Sequence, residues 1–128
     1  MSTEIVRLYL AGPMSGLPDS NYPAFCDMAD KLRGAGYLVI NPAENQPPPC
    51  GTWAGYLKIG LAQLMWCDGV ALLDGWQCSK GAKLEAAVAT ILDIPTESAS
   101  VWLSRMGVPD PALPAHLSGL AVAARRIA

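Results

Sequence analysis

The alternation of short apolar runs with helix-period segments leaves this chain few folds to choose from. IVRLYLA (5–11), YLVIN (37–41) and GVALLD (69–74) are short, apolar and rich in β-formers, and Gly or Pro follows each of them within two residues. Between the first two, YPAFCDMADKLRGAG places Phe25, Met28, Ala29 and Leu32 at helical spacing, with Pro23 near its start and Gly34 and Gly36 at its end. TWAGYLKIGLAQLMWC repeats the pattern through Leu57, Leu61, Leu64 and Met65, and Thr52 suits its N-cap. GVALLD is apolar almost throughout, as a strand covered on both faces of a parallel sheet should be. A further helix is expected from about Gly81 to Leu92, then a short strand within IPTES. Strands and helices in this order predict a single doubly wound parallel α/β sheet with helices on both faces.

At 128 residues and 52% apolar, the chain can bury one core. Residues 1–128 are therefore read as one domain of flavodoxin- or Rossmann-like form, with 107–128 as a C-terminal helical extension. Leu117, Leu120, Val122 and Ile127 would give that helix an apolar face, and Arg125 and Arg126 suit its end. A formal net charge of -2 leaves no basic field for a phosphate backbone, so a small molecule is expected as partner and a nucleic-acid polymer is not. The N-terminal apolar run is too short for a membrane span and carries Glu4 and Arg7. Cys26, Cys50, Cys67 and Cys78 form no CxxC pair, and with His116 they lack metal-ligand spacing. No metal or cofactor is expected, and the thiols read as reduced in a cytoplasmic protein.

Ligands of open parallel sheets sit beyond the carboxyl ends of the strands. Three loops would meet there: YLAGPMSGLPDSN, NPAENQPPP and DGWQCSKGAKLE. In the last, Ser79 and Gly81 stand at the positive end of a helix, a seat for a phosphate or carboxylate. Glu85 follows about one turn inside, where the helix dipole favours its ionised form. Facing a pocket, an ionised Glu85 can attack a sugar carbon and form a glycosyl-enzyme; otherwise it only decorates a first turn.

Each further candidate has a plainer alternative. Asp74 can steady a sugar cation or protonate a base, or cap the turn after its strand. Tyr9 is a site residue or a half-buried core tyrosine. Trp53 and Trp76 can stack on a base, or serve as lid or subunit contacts. Asn41 and Glu44 can meet sugar hydroxyls, or Asn41 bonds its own backbone. Asp68 reads as a helix end or strand start. Cys78 is not a phosphatase nucleophile, because no Arg follows it to close a phosphate loop. AGPMSG lacks the G-x-G-x-x-G spacing of a dinucleotide site.

The segments LYLAGPMSG, LRGAGYLVINPAE and CDGVALLDGWQCSKGAKLEAAVA resemble, in order and spacing, the nucleoside 2-deoxyribosyltransferase-like superfamily, and more narrowly its phage and bacterial DUF4406 branch. The resemblance runs from Leu8 to about Pro95 and implies Glu85 as nucleophile with Tyr9 beside it. It further implies a 5′-phosphate held by Ser79 and Gly81, assisted by the first loop at Ser15 and Gly16. Gly12, Asn41 and Trp76 complete the expected substrate contacts. Relatives usually carry an Asp about two helical turns before Asp68, and Gly60 stands there instead. The function implied is cleavage of the N-glycosidic bond of a nucleotide or deoxynucleotide, by 5′-monophosphate hydrolysis or deoxyribosyl transfer. The alternative is a non-catalytic nucleotide-binding module that keeps the pocket. A homo-oligomer is expected, in which a neighbour completes the site.

Overall fold

The computed structural model describes residues 6–107. The helical extension expected over 107–128 lies outside them from residue 108 on. Four strands, β1 (Arg7–Ala11), β2 (Leu38–Ile40), β3 (Gly69–Leu72) and β4 (Thr96–Ser98), form one sheet in the order β2-β1-β3-β4, and every pairing is parallel. The helices are α1 (Tyr22–Gly34), α2 (Trp53–Leu64), α3 (Lys80–Ile91) and α4 (Ala99–Gly107). The expected α/β sheet is thus the fold. Helix α4 was not expected from the sequence, where SASVWLSRMG is short and carries no strong stop or start signal.

Alternation along β1 sorts the helices onto two faces. Leu8 and Leu10 point into a core with Phe25, Ala29 and Leu32 of α1 and Ala99 and Trp102 of α4. Tyr9 and Ala11 point the other way, to Leu64 of α2 and Ala82, Ala86 and Ala89 of α3. β3 is buried along its whole length, as its continuous apolar run requires. Gly69 admits the Trp102 ring, which a Cβ would meet at 2.7 Å, and Trp102 donates its indole N–H to the Val70 carbonyl at 2.9 Å.

The register of β1 and β3 is pinned at its start by Asp68, whose carboxylate accepts the Arg7 backbone N–H at 2.8 Å. Chain direction then reverses its lateral drift: α1 leads from β1 outward to β2, and α2 carries the chain back across β1 to β3. The switch point between β1 and β3 opens at the carboxyl ends of those strands, which is where a crevice forms in such sheets.

Candidate active site

The loop after β1 and the turn into α3 face each other across that switch point. At its near end Gly12 lets the two strand ends approach, since a Cβ there would stand 2.8 Å from Leu73 Cβ. Next along the loop, Asp19, Ser20 and Asn21 all take left-handed backbone angles, held in part by Asn21 Nδ2 donating to the Pro13 carbonyl at 2.9 Å. A cavity of about 350 Å³ results, within the usual size of small-ligand pockets.

Glu85 forms part of its wall and is the one buried acid among the described residues. It sits on α3 facing the sheet, and Tyr9 of β1 donates its hydroxyl to Glu85 Oε2 at 2.6 Å. The sequence suggested that the helix dipole would keep this carboxylate ionised; burial outweighs it. Desolvation pushes the Glu85 carboxyl up to about 7, against the opposing pull of the Tyr9 hydrogen bond. Burial and the neighbouring carboxylate likewise push the Tyr9 phenol far above its ordinary value, so its proton stays on oxygen.

Gly60 explains why these two groups can meet. A Cβ at this α2 position would lie 2.7 Å from Glu85 Oε2 and closer still to the Tyr9 hydroxyl. The glycine is the back wall of the Tyr9–Glu85 pair, and no aspartate fits there without displacing one of them. From the sequence, Gly60 read only as a missing acid; its contact with residues 9 and 85 is a tertiary fact.

At the opening of α3, Ser79 is the N-cap: its Oγ accepts the Ala82 N–H at 3.1 Å, and its carbonyl accepts the Lys83 N–H at 2.9 Å. The Lys80 and Gly81 N–H groups have no intrahelical acceptor, and the Ser79 hydroxyl proton is still free to donate. A Cβ on Gly81 would make only ordinary 3.8 Å contacts with Trp53 and Leu57, so packing does not demand the glycine; its bareness keeps the cavity open.

Of the residues singled out in the sequence, Tyr9, Gly12, Ser15, Ser79, Gly81 and Glu85 line one cavity, with Trp53. Gly16 lies outside the lining and takes φ +80°, the turn-forming angle. Asn41 is buried away from it, accepting the Ala43 N–H at 3.0 Å and facing Cys26. Its neighbour Glu44 pairs with Arg33 of α1 at 2.9 Å. Trp76 packs against the Tyr9-side core, and Asp74 is exposed on the turn after β3; neither lines the cavity.

Sequence reasoning passed over Met14, Ser20, Tyr22, Tyr56 and Asn45, all of them lining. Tyr22 and Tyr56 lie on helix surfaces where an aromatic carries no periodic signal. Asn45 is fixed by a reciprocal amide pair with Gln63 of α2: Asn45 Nδ2 donates to Gln63 Oε1 at 2.9 Å, and Gln63 Nε2 returns a bond to Asn45 Oδ1 at 2.8 Å. No metal-binding cluster occurs among the described residues, and none of their helices is long and apolar enough to cross a membrane.

Comparison with known proteins bears on the fold and the family. No curated protein matches the chain. Among solved structures, the 2-deoxyribosyltransferase of the psychrotolerant bacterium Bacillus psychrosaccharolyticus is similar, with a TM-score of 0.57 and 25% identity over 70% of this chain and 69% of that one. The model of the DUF4406 family, a domain of unknown function, matches residues 6–96, which include β1, Gly60 and α3. The chain therefore belongs to the DUF4406 family and is nucleoside 2-deoxyribosyltransferase-like.

Proposed function

We propose that this protein cleaves the N-glycosidic bond of a nucleotide or deoxynucleotide, by hydrolysis or by deoxyribosyl transfer, with Glu85 as nucleophile. The observation that carries the reading is the buried Glu85 carboxylate, bonded to Tyr9 at 2.6 Å in the wall of a closed-backed pocket at the sheet's switch point. The similarity to a 2-deoxyribosyltransferase supports the reaction class.

In this reading Glu85 attacks C1′, the base departs, and water or a second base attacks C1′ to release the carboxylate. Tyr9 holds Glu85 in one rotamer and stabilises its charge. A 5′-phosphate meets the Ser79 hydroxyl and the free N–H groups of Lys80 and Gly81, with Ser15 on the opposite loop. Asp74, exposed outside the cavity, is given no step in this reading.

Base release from a panel of ribo- and deoxyribonucleoside 5′-monophosphates, followed by chromatography, tests the proposal. The native chain should release base, and Glu85→Gln should be slower by at least about a thousandfold while still folded. A second reading, a nucleotide-binding module, is favoured by one observation: among the described residues, no carboxylate besides Glu85 lines the cavity. A nucleotide that raises the melting temperature without losing its base would establish that module instead.

A further inference from the structure

The leaving group sets the harder chemical demand on this pocket. A neutral purine or pyrimidine departs as an anion unless an acid protonates it, and one carboxylate cannot attack C1′ and donate that proton in the same step. Among the described residues, the cavity lining holds Glu85 and tyrosines but no other carboxylate and no Lys, Arg or His. Tyr9 already directs its proton at Glu85. Gly60, behind the pair, has no room for an acidic side chain, since its Cβ alone would stand 2.7 Å from Glu85 Oε2.

The rest of the wall has a positive preference. Tyr22, Phe25 and Tyr56 line the same cavity as the carboxylate. Aromatic rings around a single negative charge attract a flat cation, by the ring quadrupoles and by Coulomb attraction in a partly desolvated site. Lys80, whose Nζ stands 5.1 Å over the Trp53 ring, is the first residue of α3 and so lies at the end suited to a phosphate.

We propose that the substrate is an N-glycoside whose base is already cationic, a pyridinium or N7-alkylpurine nucleoside or its 5′-monophosphate. The inference rests on the N-glycosidase reading and names its substrate class. Glu85 Oε forms a bond to C1′ as the C1′–N bond breaks, and the bonding pair neutralises the ring nitrogen, so the base leaves neutral with no proton supplied. Water then attacks C1′, the ester oxygen leaves as the Glu85 carboxylate, and the proton of the attacking water passes to solvent. The charge balance closes: a cationic glycoside and water become a neutral base, a free sugar and a proton.

The test compares matched pairs with the full chain: N7-methylguanosine 5′-monophosphate against guanosine 5′-monophosphate, and nicotinamide mononucleotide against uridine 5′-monophosphate. Each kcat/KM is divided by the uncatalysed rate, because cationic glycosides are intrinsically more labile. The expected result is a normalised preference for the cations of at least about a hundredfold, the span a general acid would otherwise supply, abolished in Glu85→Gln. Equal or greater normalised rates on the neutral nucleotides would overturn the cationic class and leave the N-glycosidase standing. Release from none of the four by the native chain would overturn both.

Discussion

Two buried tyrosines lie on opposite faces of the sheet, each donating a 2.6 Å hydrogen bond, and their partners differ. Tyr37 gives its proton to the Trp102 carbonyl, within a face filled by Leu8, Leu10, Phe25, Leu32 and Trp102. Tyr9 gives its proton to the Glu85 carboxylate, within a face lined by Ala11, Ala82, Ala86 and Ala89 and backed by Gly60. Large side chains pack the first face around Tyr37, and burial pushes its phenol up to about 12. Small ones on the second leave room beside Tyr9 for an ionisable side chain, and the cavity is walled from both faces, by Leu10 and Phe25 of the first and Tyr9 and Ala82 of the second. The first face is filled by packing; the second gives up packing to hold a buried carboxyl.

The largest expected effect separates the faces by packing. Trp102→Ala removes a ring that stacks edge-on to Tyr37 at 5.8 Å and fills the notch over Gly69, and should cost about 3–5 kcal/mol in chemical denaturation. Comparable stability in this variant and the native chain would erase the distinction drawn for that face.

Glu85→Gln should move stability in the opposite direction. The folded carboxyl is raised to about 7, above its unfolded value, so the native state carries a penalty that is absent below the unfolded value and complete above about 7. The amide removes the penalty and can still accept from Tyr9. Its gain should be on the order of 3 kcal/mol at pH 8 and fade as pH falls towards 4.5, read from melting temperature against pH. A gain equal at both pH values would show that desolvation of the charge is not its source.

Gly60→Ala is the third test. The new methyl must displace Tyr9 or Glu85, at about 1–3 kcal/mol, with base release falling alongside. The smallest effect contrasts the tyrosines directly. Tyr9→Phe and Tyr37→Phe should each cost about 1 kcal/mol. Only Tyr9→Phe should move the pH at which Glu85 titrates, and it should move it upward, because the lost hydrogen bond favours the charged form. An equal pH profile in both variants would break the comparison.

A single rule made the first face legible in sequence. Helical spacing at Phe25, Ala29 and Leu32, set against alternation in β1, is enough to place α1 on the sheet. Helix α4 escaped because its hold on the fold is long-range: Ala99 and Trp102 join the core, and Trp102 bonds Val70 across 32 residues and Tyr37 across 65. On the second face Ser79 and Glu85 were visible through the helix start between them. The Tyr9 bond to Glu85 spans 76 residues, and the fit of Gly60 against both appears only in three dimensions. Asn41 follows the plainer of its two sequence readings: its side chain serves its own turn.

The same one-sided visibility holds for the reciprocal amides of Asn45 and Gln63. Each spends both its donor and its acceptor on the other, so a change at one position strands two polar atoms at its partner. Loop and helix are thereby tied by a pair that fails as a pair: losing either amide releases the other to solvent, and the stretch of pocket wall at Asn45 loses its anchor on α2.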